Sequence, residues 1–96
     1  MAEIFSIAIF EMLDGQEAAA LATLQELMAA LAAKRYSRDS LHRNAKQPRH
    51  YILTRHWLSE ETRRAAHEDP KIQKFWARLG HEISIVSIYE VLEEVT

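Results

Sequence analysis

The chain has 96 residues, of which 48% are hydrophobic and 27% charged, and its formal net charge at pH 7 is -2. These values predict one globular domain spanning residues 1–96 and exclude an intrinsically disordered chain. With no cysteine and two glycines, the sequence excludes disulfides, thiolate metal sites, cysteine nucleophiles and glycine-rich phosphate loops. The weakly acidic balance argues against a nucleic-acid partner, and the lack of a long apolar run argues against a membrane protein.

The first half of the chain predicts a strand, a helix and a second strand. Residues 3–13 alternate with a period of two, which indicates a strand with apolar side chains on both faces. One face carries Phe5, Ile7 and Ile9, and the other carries Ser6, Ala8, Phe10 and Met12. After the Asp14-Gly15 turn, residues 16–33 are rich in alanine and place leucines at three- and four-residue steps, which predicts a helix. Residues 36–45 predict a second strand.

The second half predicts a hairpin, a broken helix and a final strand. A proline-containing connection leads into the third strand, residues 50–57. One face of that strand carries Tyr51, Leu53, Arg55 and Trp57. A helix capped by Ser59 is predicted to stop and restart at Asp69 and Pro70, which suit an N-cap and the first helical position. Residues 83–95 predict a long strand. Alternation places Ile83, Ile85, Tyr89 and Val91 on one face of it.

This order of elements is that of the ferredoxin-like α+β fold, βαββαβ, with a broken second helix. The right-handed crossover rule places both helices on one side of the sheet. The other side is then expected to expose an apolar patch too large for a monomer. We expect this patch to contain Phe10, Leu53, Trp57, Ile85 and Tyr89. A second copy is the simplest cover, so the sequence predicts a homodimer whose two sheets face each other.

The charges are divided between the two predicted edge strands. Residues 34–49 carry six lysines or arginines and one acid. The last strand carries Glu82, Glu90, Glu93 and Glu94. Edges of opposite charge would pair across the dimer and close a barrel, whereas the alternative is that both edges are simply solvated. Nucleic-acid binding by the basic segment is disfavoured because aromatic interleaving is limited to Tyr36 and Tyr51.

Three short motifs stand together between residues 41 and 70. They are a proline-containing turn, an apolar strand that ends in Trp57-Leu58-Ser59, and a helix that ends in Ala66-His67, ten residues after the tryptophan. With the Asp14-Gly15 helix entry, these motifs resemble the antibiotic biosynthesis monooxygenase domain of the dimeric α+β barrel superfamily.

The resemblance implies a small homodimer with an apolar cavity between the sheet and the helices of each subunit. Members include oxygenases that oxidise phenols or quinols without metal or flavin, so no cofactor is expected. Such a substrate, once deprotonated, reduces dioxygen itself, and the protein supplies a base, a hydrogen-bond donor and a dry pocket. The haem-degrading pattern is not met, since its matching positions hold Ala8, His67 and Ala77. An asparagine of the phenol-oxidising pattern is replaced by Leu53.

The candidate catalytic residues in that cavity are His67, Trp57 and His56. A histidine in a pocket is the natural base for a phenol, and His56 could meet His67 there. Trp57 is either a hydrogen-bond donor or a core anchor, and His67 is alternatively a helix cap or a surface residue. The spacing of the five histidines gives no support for a metal site.

The candidate substrate-binding residues are Arg55, Phe10, Leu53 and Tyr89. Arg55 lies among apolar neighbours on a central strand and needs an anionic partner. A structural salt bridge with a glutamate of the last strand is preferred over an anionic ligand. Tyr89 either lines the cavity or packs in the core.

We therefore expect a cofactor-independent monooxygenase that acts on a phenolic or quinone-type small molecule. The alternative is a non-catalytic protein whose cavity binds a hydrophobic or anionic molecule. An acid near the N-terminus, where a signal peptide needs a base, leads us to expect a cytoplasmic location.

Overall fold

The computed structural model describes residues 4–96, so Glu3, the first residue of the predicted N-terminal strand, lies outside the described residues. The elements follow the predicted order. They are β1 (Ile4–Met12), α1 (Glu17–Ala33), β2 (Ser37–Arg43), β3 (His50–Trp57), α2 (Glu60–Glu68), α3 (Pro70–Leu79) and β4 (Ile83–Leu92). The ferredoxin-like α+β fold with a broken second helix is confirmed. β2 ends two residues earlier than predicted and β4 three residues earlier.

The four strands form one antiparallel sheet in the order β2-β3-β1-β4, so β2 and β4 are its edges, as predicted. β1 and β3 pair without interruption from Ile4 opposite Trp57 to Glu11 opposite His50. The pairing of β1 with β4 is different, because its register shifts twice. None of the three helices that the structure describes has the length and apolar character needed to cross a bilayer.

Local side-chain chemistry explains why the second helix breaks in two. Ser59 and Thr62 form a capping box at the start of α2: each accepts a hydrogen bond from the other's backbone N–H, at 3.1 and 3.0 Å. Asp69 follows the end of α2 and is at the same time the N-cap of α3, where its carboxylate accepts from the Lys71 N–H at 2.9 Å. Pro70 occupies the first helical position of α3, as its fixed φ and missing N–H favour.

The core lies between the sheet and the helices. Phe10, Leu53 and Trp57 are 1%, 8% and 3% exposed and belong to the cluster that buries leucines of α1. The expectation that these three side chains belong to the helix-free patch was wrong. The register explains it: Phe10 pairs with Tyr51 and Ala8 with Leu53, so the even-numbered residues of β1 share a face with the odd-numbered residues of β3.

The opposite face of the sheet is also apolar, but other residues form it. Phe5, Ile7 and Ile9 of β1 occupy this face, where Ile9 pairs with Ile52 and Ile7 pairs with Tyr89. The helix-free apolar face that the sequence predicted is therefore present, and of the five residues expected there it contains Tyr89.

β4 is the least enclosed strand, and its side chains do not alternate as predicted. A register shift opposite Ile9 and Phe10 pairs Phe10 with Ile85 and Ala8 with Ile88, whereas Ile7 pairs with Tyr89. The extra residue of this bulge places Ile85 on the helix side and Tyr89 on the other, so grouping them on one face was wrong. Five apolar side chains of β4 are half-exposed: Ile85, Val86, Ile88, Tyr89 and Val91.

Candidate functional site

Two adjoining clefts lie between the sheet and the helices α2 and α3. The first, here called the histidine cleft, has a volume of about 270 Å³ and includes His67 in its lining. The second, here called the leucine cleft, has a volume of about 360 Å³ and reaches Leu24 and Leu27 of α1. Both clefts share the side chains of Ala8, Leu53, Arg55, Trp76 and Ile88. They are therefore two parts of one largely apolar space beside β4.

His67 lies between two tryptophans at the edge of the histidine cleft. Its ring centroid is 6.1 Å from that of Trp57 on β3 and 4.9 Å from that of Trp76 on α3. The break at Asp69 produces this contact, because it brings the first turns of α3 alongside the last turn of α2. An imidazole thus borders the cleft in an aromatic setting, and His67 is exposed to solvent.

Trp57 is a buried wall of the cleft, and its one hydrogen-bond donor is already engaged. The indole Nε1–H donates to Ser6 Oγ at 3.1 Å, and the Ser6 hydroxyl donates to the backbone oxygen of Glu90. This chain links β3, β1 and β4 across the sheet. The side chain of Trp57 is therefore a core anchor in this structure, and a donor role toward a substrate requires the bond to Ser6 to break.

Arg55 forms a structural salt bridge, as preferred from the sequence, but its partner is Asp39 of β2. Its Nε lies 2.9 and 3.0 Å from the two carboxylate oxygens, and its Nη2 lies 2.7 Å from Oδ2. The expected partner, a glutamate of the last strand, was wrong because β1 separates β4 from β3, whereas Asp39 is directly opposite Arg55. The guanidinium carbon also lies 5.3 Å from the centre of the Trp57 ring.

The structure brings some of the predicted site residues together and separates others. His67, Trp57, Arg55 and Leu53 line the histidine cleft, and Phe10 lines the leucine cleft. His56 and Tyr89 lie on the other face of the sheet, where the His56 ring is 4.6 Å from Phe5 and Tyr89 pairs with Ile7. The expected meeting of His56 and His67 was therefore wrong, because adjacent residues of a strand point to opposite faces.

Sequence reasoning missed three polar residues of the histidine cleft and the role of Trp76. Arg63, Ser6 and Glu90 line it, and Trp76 stands where the two clefts join. Arg63 had a signal, since it precedes His67 by four residues and must share a helix face with it. Trp76 was predicted only as part of a buried helical stripe. Its place beside His67 depends on the angle between α2 and α3, which the sequence pattern does not encode.

Metal-ligating side chains do not gather at this site. Across residues 4–96, no three side chains of histidine, aspartate or glutamate lie close enough together to hold a metal ion.

Comparisons with known proteins find similar structures, whereas neither the family models nor the curated proteins give a match. A protein from Chloroflexus aurantiacus, provisionally named an antibiotic biosynthesis monooxygenase, superposes with a TM-score of 0.78 at 20% identity, over 99% of this chain and 96% of the other. A variant of SnoaB, a cofactor-independent oxygenase from Streptomyces nogalater, gives a TM-score of 0.80 at 14% identity, over 99% and 98%.

A third structure, from Deinococcus radiodurans and under the same provisional family name, gives a TM-score of 0.74 at 17% identity, over 97% and 96% of the two chains. All three likenesses extend over almost the whole of both chains, and their low identities make them statements about fold. The resemblance first indicated by Trp57-Leu58-Ser59 and Ala66-His67 is thus confirmed at that level. The chain has the ferredoxin-like α+β fold of the antibiotic biosynthesis monooxygenases.

Proposed function

We propose that this protein is a cofactor-independent monooxygenase that oxidises a phenolic or quinone-type small molecule in the histidine cleft. The observation that carries the proposal is the convergence of His67, Trp57 and Arg55 on one largely apolar cleft. The fold adds support, because the structures that share it include SnoaB, described as a cofactor-independent oxygenase.

The reaction balances without any external reductant. A phenol with one free ring position takes up one oxygen atom of O₂ there and becomes a quinone, and the second oxygen atom leaves as water with the two hydrogens that the phenol loses. All four electrons that reduce O₂ come from the substrate. The protein then has to remove the phenolic proton, stabilise the anion and exclude water.

In this scheme His67 is the base, because its imidazole lies at the rim of the cleft within reach of a bound hydroxyl group. The guanidinium group of Arg63 stabilises the phenolate, because it is a partly buried cation in the lining of an apolar space. Trp57 and Trp76 hold the substrate ring and exclude water. Trp57 acts through its ring face, since its N–H donates to Ser6.

The second candidate function is non-catalytic binding of the same kind of molecule. Two engaged groups favour it: the Trp57 N–H donates to Ser6, and Arg55 is bidentate on Asp39. A cleft whose donors are already paired can bind an apolar ring without activating it.

Oxygen uptake distinguishes the two functions. Purified protein is incubated with a panel of naphthols and hydroquinones under ¹⁸O₂, and dissolved oxygen and product mass are followed. The oxygenase incorporates one labelled atom into a quinone, and His67→Gln lowers kcat by about a hundredfold. His81→Gln is the matched control, because His81 is exposed and outside both clefts. Saturable binding without oxygen uptake on any substrate supports the binding protein instead.

We further propose that a second copy of the chain covers the helix-free face of the sheet. Phe5, Ile7, Ile9, Ile52 and Tyr89 give this face its apolar character. Charge complementarity supports a second copy as the occupant, since residues 34–49, which contain the edge strand β2, are rich in lysine and arginine, and the end of the edge strand β4 carries Glu90, Glu93 and Glu94. A two-fold axis would place each edge near the opposite edge of its partner.

A further inference from the structure

We infer that the histidine cleft selects aromatic molecules that carry a carboxylate, and that Arg63 of α2 is the residue that recognises this group. The inference rests on the proposed function, because it names the substrate class of the same cleft.

The charged side chains that line the cleft differ in how well a partner neutralises them. Its titratable side chains are Arg55, Arg63, His67 and Glu90. Arg55 is neutralised by Asp39, whose side chain is 1% exposed. Glu90 is 71% exposed, and its carboxylate oxygen lies 3.9 Å from Nη2 of Arg63. The charge of Arg55 therefore belongs to the protein core, whereas that of Arg63 faces the cleft with a distant, solvated partner.

The second ion pair of Arg63, with Glu60, is weak for a different reason. Nη1 of Arg63 lies 3.1 Å from Oε1 of Glu60, three residues earlier on the same helix. Glu60 is 46% exposed and is shared with Arg64, at 4.0 Å. Exposed pairs of this kind contribute little, while Arg63 itself is only 20% exposed. A carboxylate inside the cleft would thus meet a partly desolvated guanidinium whose planar fork matches it.

The surroundings of Arg63 specify the rest of the ligand. Rings of Trp57, Trp76 and His67 border the cleft, and small or aliphatic side chains of the sheet line it as well. Flat aromatic walls next to one guanidinium favour a planar ring system with an anionic substituent over an aliphatic acid.

The test compares 2-naphthoate with its neutral amide, naphthalene-2-carboxamide, by isothermal titration at low ionic strength. Tryptophan emission gives a second readout, because the two tryptophans of the chain both line the cleft. We expect the affinity of the wild-type protein for the acid to exceed its affinity for the amide by at least about tenfold. Arg63→Gln should lose this preference and keep its affinity for the amide, which also reports that the variant is folded.

Two further variants sharpen the test. Arg64→Gln is the matched control: Arg64 follows directly on the same helix, is 69% exposed and lies outside the cleft lining, so the preference for the acid should persist. Glu60→Gln removes the nearest competing carboxylate and should strengthen binding of the acid. The inference is overturned if the wild type does not prefer the acid, if Arg63→Gln keeps the preference, or if neither probe binds.

Failure of this inference is distinguishable from failure of the proposed function. Naphthoate has no hydroxyl group and cannot be oxidised as a phenol, so the binding comparison is independent of turnover. Oxygen uptake with neutral naphthols and no preference for the acid would support the proposed oxygenase and contradict carboxylate recognition by Arg63. A clear preference for the acid without oxygen uptake would support carboxylate recognition by Arg63 and contradict the proposed oxygenase activity.

Discussion

Arg55 of β3 and Asp39 of β2 face each other across neighbouring strands and share three short hydrogen bonds beneath the histidine cleft. Ser37 completes the arrangement by donating to Asp39 Oδ1 at 2.9 Å. Both charged groups are almost fully enclosed, with 11% and 1% of their side chains exposed. A pair of this kind is costly to break, since removing one partner leaves the other charge buried alone.

We expect Asp39→Asn to lower the free energy of unfolding by about 3–5 kcal/mol, because Arg55 then keeps its charge without a counterion. Urea unfolding, monitored by circular dichroism, measures this free energy. Asp14→Asn is the control, since the Asp14 side chain is fully exposed. A loss below about 1 kcal/mol, as for a surface pair, would contradict the burial of this charge. Replacing both partners by Asp39→Leu and Arg55→Met should restore much of the lost stability.

Asp69 should make the stability depend on pH in the acid range. The hydrogen bond from Lys34 is the largest cause that holds the pKa of the Asp69 carboxyl at about 2, below its ordinary value of 3.8, and the Lys71 N–H and the Tyr36 hydroxyl add to it. Because the pKa is lower in the folded state, its contribution is complete above pH 3.8 and is lost as the pH falls toward 2.

The variant Asp69→Asn tests this, because the asparagine Oδ1 is an equally good N-cap for Lys71, whereas the charge and the acceptor oxygen for Lys34 and Tyr36 are removed. Thermal unfolding is compared for wild type and variant at several pH values. The difference in Tm between the two proteins should be largest near neutrality and should shrink as the pH falls toward 2. A difference that stays constant through the acid range would show that the charge of Asp69 contributes nothing.

The hydrogen bond between Trp57 and Ser6 gives a further prediction. Ser6→Ala leaves the indole N–H without its acceptor in a side chain that is 3% exposed, which should cost about 1–3 kcal/mol. Ser84→Ala on the exposed side of β4 is the control. In a double-mutant cycle, the double variant Ser6→Ala/Trp57→Phe should lose less unfolding free energy than the sum of the losses in the two single variants. Additive costs would mean that the two side chains do not interact.

The proposed dimer makes a prediction about mass in solution. Light scattering should give twice the chain mass of 11.1 kDa for the wild type. Tyr89→Glu should halve that value, because it introduces a charge at a half-exposed position of the helix-free face. Leu58→Glu is the control, since Leu58 is similarly exposed but lies just beyond β3. A wild-type protein with the mass of a single chain would contradict the proposed dimer.

The elements were predictable because their signals are local. Ser59 and the Asp69-Pro70 pair mark helix starts by their own chemistry, and β1 and β3 alternate without interruption. The failures concern relations between elements. Which face the helices cover depends on handedness and register together, and the bulge in β4 reverses the alternation after Ile85.

The candidate site follows the same division. His67 was found through a short motif, whereas the partner of Arg55 could be named only once the strand order was known. His56 was misplaced even though alternation along β3 was enough to exclude it. Arg63 could have been found from its spacing of four residues to His67 on the same helix. Trp76 required the angle between two helices, and that angle is a property of the packed molecule.

Asp69 connects four elements of the molecule at one point. It follows α2, begins α3, and through Lys34 and Tyr36 ties both helices to the end of α1 and the start of β2. Across the clefts, the margin along β4 is more open to solvent, with Ile85 and Ile88 half-exposed. The clefts are thus bounded by paired side chains at the Asp69 end and are most open to solvent along β4, the side on which an entering ligand meets the least protein.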